Sequence, residues 1–274
     1  MLNHTRQMLA KNNNVIICSR SEPDIQKSLN KLRKISPNCI CDGIPADVTK
    51  FPDMQRLAEF SVQKLGEIDI RINNAGSVAY QRKTIMDLDP KDIEQVVQTN
   101  LLGTIFGCKA AIEVMRSQNK RGHIFNMDGA GVDGGPTDKF AAYGATKRAI
   151  PQLTKSLNKE IRDSGISSVT VHNLSPGMVL TDLLLSESTP VVRRFFNVLA
   201  EEPQTVADFL VPRILEVEGT SPVYIRFLTN ADALRRIVTG FPQVLFGGRF
   251  FDAEGNRVKV PGAEYNDQNV RIDL

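Results

Sequence analysis

At 274 residues, 41% apolar and 24% charged, the chain has globular proportions, with room for one large α/β domain or two small ones. That composition excludes disordered, collagen-like and coiled-coil classes, and 34 basic against 31 acidic residues leave +3, too weak a field to imply nucleic acid. The longest apolar stretch, Val96 to Met115, contains Lys109 and Glu113, whereas a spanning helix needs about 20 nearly uninterrupted apolar residues.

The periodicity alternates between short β-branched runs and longer amphipathic stretches. Asn14–Cys18 reads as a buried strand, followed by a helix over Pro23–Lys34, a strand within Asn38–Ala46 and a helix over Asp53–Lys64. Asp69–Asn73 is a strand that ends in Asn-Ala-Gly, and one long helix is expected over Pro90–Arg116. Gly122–Met127, a helix over Ala141–Asp163, a strand over Ser168–Leu174 and a late strand within Val223–Leu228 complete the pattern. Strands separated by helices of ten or more residues need crossover connections, which predicts a mostly parallel sheet with helices on both faces. Such a sheet places its ligands beyond the carboxyl ends of the strands.

Four cysteines are too few for a disulfide scaffold at this length, and Cys39 and Cys41 lack redox or zinc spacing. They read as buried thiols on one face of a strand. His4, His123 and His172 have no carboxylate or cysteine at ligand spacing, so no metal is expected. The composition changes near Ser186, where eight of the 13 phenylalanines are still to come. A division into residues 1–185 and a C-terminal segment 186–274 follows. Phe241, Leu245, Phe246, Phe250 and Phe251, with Arg235, Arg236 and Arg249 beside them, could be a packed core, a lid over a large ligand, or a face that lies on a membrane.

Tyr143-Gly-Ala-Thr-Lys147 opens a predicted helix and puts a phenol and an ammonium one turn apart on one face. A nearby cation stabilises phenolate and would lower the tyrosine pKa toward the range of a general acid or base. Asn73-Asn-Ala-Gly76 closes one strand, Asn100 lies in the following helix, and Pro176-Gly177 follows another strand.

With these segments in this order, the chain resembles the short-chain dehydrogenase/reductase family over about residues 5–185, and again near Val223–Thr229. The resemblance implies a doubly wound, Rossmann-like α/β fold. It implies that Tyr143 exchanges a proton with the substrate oxygen, that Lys147 holds the nicotinamide ribose and depresses the tyrosine pKa, and that Asn100 supports a proton relay. Asn73, Ala75 and Gly76 would line the cofactor, and Pro176, Gly177 and Thr181 would face the nicotinamide. Asp47-Val48 matches the family's adenine-contacting pair. Ser19-Arg20 follows the strand that ends beside the adenosine ribose, where an arginine accommodates a 2′-phosphate; this favours NADPH, a solvated arginine being the alternative.

The sequence departs from the family in two places. The family opens with a strand and a glycine-rich turn that cradles the pyrophosphate. Met1–Lys11 corresponds to the end of the helix after that turn, so an N-terminally truncated sheet, open at its middle, is expected, and NADPH binding by the chain as given is in question. The family's catalytic serine aligns with Ala130 or Gly129, and neither carries a hydroxyl. Asp128 is the nearest polar group, either polarising a carbonyl or serving a turn.

The run His123-Ile-Phe-Asn-Met-Asp-Gly-Ala-Gly131, the stretch Ser175–Leu185, Glu202–Ala207, Leu210–Arg213 and Gly248–Asp252 are similar to the chlorophyll b reductase subfamily. That likeness implies NADPH-dependent reduction of the C7 formyl group of chlorophyll b or chlorophyllide b to hydroxymethyl, at the thylakoid surface of a chloroplast. It also implies a homo-oligomer, or a hetero-oligomer with a related reductase, built on Pro90–Arg116 and Ala141–Asp163. Reduction of another large hydrophobic carbonyl and a non-catalytic scaffold role are the alternatives.

Overall fold

In the computed structural model, residues 2–78, 83–185, 188–259, 263–266 and 270–271 are described, and they divide into two compact units. The first comprises Met1–Leu174 with Arg213–Ile225, and the second Ser175–Pro212 with Arg226–Leu274.

In the first unit, α1 (Leu2–Ala10) leads into β1 (Val15–Ser19), α2 (Glu22–Leu32), β2 (Cys41–Pro45), α3 (Phe51–Leu65) and β3 (Ile70–Asn73). The strands β1 and β2 are parallel, Val15 opposite Cys41. Their side chains alternate between the two faces, as a pleat requires. Val15, Ile17 and Cys41 pack with Leu9, Ile25, Leu29 and Leu32 of α1 and α2. Ile16, Cys18 and Ile44 pack with Met54, Leu57 and Ala58 of α3. Helices therefore cover both faces, and that is the doubly wound architecture. Local chemistry starts the helices: Ser21 caps α2 by accepting from Asp24 N, and Pro occupies the first turn of α2 and α3, where its missing N–H costs nothing. Cys39 lies just before β2 and shares one cluster with Cys41; all four cysteines are free thiols.

The single long helix expected over Pro90–Arg116 is present with a defect. It runs as α4 (Pro90–Val97), one π-helical turn (Gln98–Leu102) and α5 (Gly103–Met115). Then come β4 (Gly122–Met127), α6 (Ala141–Asp163) and β5 (Val169–Ser175). In β4 and β5 every residue but Ser175 is buried, the polar His123, Asn126, Thr170, His172 and Asn173 included. Cys108, Ala111 and Met115 of α5 and Ile161 of α6 close one face over Ile124, Val169 and Val171.

The sheet is in two pieces: β1–β2, and a four-stranded sheet in the order β3-β4-β5-β8, where β8 is Tyr224–Arg226. Among the described residues, one edge of β1 and one edge of β3 have no strand partner.

The second unit was largely unread in the sequence. It contains β6 (Met178–Val179), α7 (Asp182–Leu185), α8 (Pro190–Leu199), β7 (Ala200–Glu201), α9 (Pro203–Leu215, whose last residues cross into the first unit) and α10 (Asn230–Phe246). Phe250 and Phe251 are core here, packed with Leu180, Leu185 and Phe196. Asn197 fastens them, accepting from Phe250 N at 2.7 Å and Phe251 N at 2.8 Å while donating to Phe251 O at 2.9 Å. A bidentate pair joins Arg249 to Glu201 at 2.9 and 2.6 Å. Gly240 lets α10 approach α8, since a Cβ there would stand 3.1 Å from Val198. The outer face of α10 leaves Leu234, Ile237, Val238, Phe241, Leu245 and Phe246 exposed. No described helix is long and apolar enough to cross a membrane.

Candidate active site

Strands β3, β4 and β5 carry their chemistry at the carboxyl ends. Asn73 ends β3, and its side chain turns inward, donating to Asn126 Oδ1 at 2.9 Å and accepting from Arg71 Nε at 3.0 Å. It holds the sheet together. The loop beyond it carries a half-buried Ala75 and an exposed Gly76.

Asn100 fixes that loop. It sits fully buried in the π turn, accepts from Ser77 N at 2.8 Å and donates to Ser77 O at 2.9 Å. Its Nδ2 also lies 3.3 Å from Thr146 Oγ1 on α6. A π turn shifts the side-chain register of the helix by one residue, and here that register carries Asn100 to the loop. A Cβ built on Gly76 would lie 3.6 Å from Asn100 Oδ1 and 3.9 Å from Lys147 Nζ. Gly76, Asn100 and Lys147 therefore meet.

Tyr143 and Lys147 stand on α6, with Lys147 Nζ 5.7 Å from the centroid of the Tyr143 ring. The ammonium is buried and donates to Met127 O at 3.2 Å. Burial pulls its pKa down to about 8, against the opposing pull of Asp128. The tyrosine shift is a correction to the sequence reading. Burial, with the charge of Asp128 added, pushes the Tyr143 pKa up to about 12 rather than down. Lys147 does not bring it below its ordinary value, because desolvation and a carboxylate both oppose phenolate. The phenol packs over Gly129, where a Cβ would fall 2.3 Å from its oxygen.

Asp128 follows β4 directly and is buried, its N–H donating to Leu174 O at 2.9 Å. Its Oδ2 accepts a hydrogen bond from the hydroxyl of Tyr224 on β8. Tyr224 was not singled out in the sequence, since nothing local marks a tyrosine in a short late strand. Only the β5–β8 pairing brings it to Asp128.

Ser19 ends β1, with Arg20 exposed beside it. Asp47 folds a turn by accepting from Thr49 N at 2.9 Å and Thr49 Oγ1 at 2.8 Å, and Val48 packs on Gly103, where a Cβ would meet it at 2.8 Å. Pro176, Gly177 and Thr181 belong to the second unit. There Gly177 takes φ +70°, a conformation that only glycine adopts readily, and Thr181 Oγ1 donates to Val179 O at 3.3 Å.

Comparison with known proteins matches this arrangement. The family model "short chain dehydrogenase" covers residues 2–190. The chlorophyll(ide) b reductase NOL of Oryza sativa subsp. japonica is 45% identical over 248 residues, covering 89% of this chain and 71% of that one. The probable chlorophyll(ide) b reductase NYC1 of the same organism is 39% identical over 274 residues, covering 94% of this chain and 53% of that one. Both are described as chloroplastic. Among solved structures, the 3-ketoacyl-(acyl-carrier-protein) reductase of Brucella melitensis, complexed with NADH, superposes with a TM-score of 0.68 at 21% identity, over 82% of this chain and 90% of that one. The family model and these identities, together with Tyr143 and Lys147 one turn apart on α6, show that the chain belongs to the short chain dehydrogenase family.

Proposed function

We propose that the protein is a chloroplast chlorophyll(ide) b reductase that uses NADPH to convert the C7 formyl group to hydroxymethyl. The observation that carries the reading is the Tyr143 phenol, packed over Gly129 and holding its proton up to about pH 12. A reduction needs a proton donor, and this group is one at every physiological pH.

A nicotinamide cofactor fits the residues present. Around Gly76 a Cβ would meet nothing closer than 3.6 Å, and the buried ammonium of Lys147 stands at the rim of that opening. Lys147 would hold the ribose, the loop fastened by Asn100 would line the ring, and exposed Arg20 at the end of β1 would favour a 2′-phosphate. When bound, the reduced nicotinamide supplies the hydride that reaches the formyl carbon. Tyr143 donates its proton to the formyl oxygen, and the adjacent Lys147 ammonium stabilises the phenolate left behind. Asn100 keeps the loop in register.

The relatives described as chloroplastic support that compartment. The exposed apolar face of α10 suits peripheral contact with the thylakoid, where the pigment resides. Self-association through α4–α5 and α6 is the arrangement we propose for the assembly.

The test is conversion of chlorophyll b or chlorophyllide b with NADPH, followed by pigment chromatography. Wild type should form the 7-hydroxymethyl product. Tyr143→Phe should lose about 10²–10⁴-fold in turnover while binding NADPH as before. Full activity in that variant would sink the mechanism, and no product from wild type that binds NADPH would sink the substrate.

A further inference from the structure

Among the described residues two phenols reach the loop after β4, and only Tyr143 belongs to the pair already described. Tyr224 comes from β8, which β5 holds beside it through Asn173 N donating to Val223 O at 3.1 Å. Its hydroxyl donates to Asp128 Oδ2. Asp128 is itself pinned, buried with its N–H on Leu174 O. The next residue is Gly129, on which the Tyr143 hydroxyl rests. A serine-bearing loop would offer a hydroxyl here; this one offers a carboxylate fixed by a second phenol.

We propose that Asp128 and Tyr224 are positioning residues for the catalytic phenol: Tyr224 holds the Asp128 carboxylate beside Tyr143, and the carboxylate keeps the proton on Tyr143 until a carbonyl oxygen draws it off. The inference rests on Tyr143 being the proton donor. A carboxylate close to a phenol disfavours phenolate, and more strongly where water is excluded. The hydrogen bond from Tyr224 is charge-assisted, so it orients the carboxylate firmly. Among the described residues, groups that face Tyr143 come from three elements. Lys147 is on its own helix, Asp128 follows β4, and Leu88, Ile93, Val96 and Phe140 supply an apolar wall. Lys147 opposes Asp128 only while charged, and it loses its proton near pH 8. Above that pH the Asp128 charge adds to burial without the Lys147 charge against it.

The dyad can be tested without any substrate. The ultraviolet absorbance of tyrosinate is followed in the full, ligand-free chain from about pH 8 to about pH 12.5, with the Tyr143→Phe trace subtracted to isolate that residue. In wild type Tyr143 should remain largely protonated to about pH 11. Asp128→Asn should bring its ionisation down by about one pH unit or more, Asp128→Glu should restore much of the loss, and Tyr224→Phe should shift it in the same direction by less. Circular dichroism checks folding, and Tyr224→Phe, which removes one oxygen and keeps the ring, carries the test if Asp128→Asn does not fold. An unmoved Tyr143 midpoint in every folded variant overturns the proposal. The alkaline limb of kcat for pigment reduction should move with the absorbance midpoint. If the midpoint moves and no pigment is reduced, the substrate reading fails and the dyad stands. If pigment is reduced and the midpoint stays, the dyad fails alone.

Discussion

The Asn100 amide grips Ser77 by both of its backbone groups, accepting from the N–H at 2.8 Å and donating to the carbonyl at 2.9 Å. This double bond ties a π turn to the loop that carries Gly76. Asn100→Ala should strand two polar backbone groups and cost about 1–3 kcal/mol of stability. Affinity for NADPH should fall with it, because Gly76 loses its fixed position. Urea denaturation and fluorescence titration of the cofactor measure the two effects, and an unchanged dissociation constant would separate the loop from cofactor binding.

Gly129→Ser restores the hydroxyl that the family places in this stretch, yet it should damage the enzyme. Its Cβ would fall 2.3 Å from the Tyr143 oxygen, so the phenol must move. Displacement of a proton donor by an ångström costs on the order of 10²-fold, so kcat should drop by about that factor while the melting temperature changes little. A gain in turnover would mean that the phenol works from another position.

His172 accepts from Val223 N at 3.0 Å through Nδ1, so its hydrogen sits on Nε2, which faces His123 Nδ1 at 2.9 Å. A second proton would oppose the Val223 N–H. Burial, with His123 adding to it, holds the His172 pKa down to about 4 from 6.5. The unfolded chain then binds the proton first, so stability is complete above about pH 6.5 and is lost as pH falls toward 4, by about 3 kcal/mol. His4, depressed to about 4 mainly by burial, adds to the same window. Urea midpoints at about pH 7 and about pH 4.5 should differ most in wild type, and less both in His4→Gln and in His172→Asn, whose amide oxygen can still accept from Val223. An equal acid loss in His172→Asn would place the sensitive group elsewhere.

Arg20→Asp should reverse cofactor preference. A charge-assisted contact to a 2′-phosphate contributes about 1.5–3 kcal/mol, so kcat/KM for NADPH should fall about 10–100-fold, with NADH unaffected or improved. Steady-state rates with both cofactors check it. Equal losses with NADPH and NADH would show that Arg20 does not read the phosphate.

Phe241→Glu with Leu245→Glu should abolish sedimentation of the protein with thylakoid-lipid vesicles and leave reduction of detergent-solubilised pigment intact. Both side chains are exposed on α10, so the fold should tolerate the change. Vesicle binding by the double variant would remove α10 from membrane contact.

By itself the sequence determined the alternation of strands and helices through β5, because each element carries its own period and its own start signals. Strand β4 and helix α6 begin and end where the pattern placed them, at Gly122–Met127 and Ala141–Asp163. The pair Tyr143–Lys147 was legible for the same reason: helical spacing alone puts them one turn apart. The second unit was not legible, since the chain crosses between units at 174/175, 212/213 and 225/226, and no local composition records a crossing. Phe250 and Phe251 prove to be core and Phe241 and Phe246 exposed, a division that depends on which face α8 covers. Tertiary structure also decided the acidity of Tyr143. Sequence spacing shows the nearby cation, whereas burial and the approach of the Asp128 carboxylate come only with folding, and in a dry site these outweigh it. Tyr224 and Asp128 lie 96 positions apart, and only the pairing of β8 with β5 makes them neighbours.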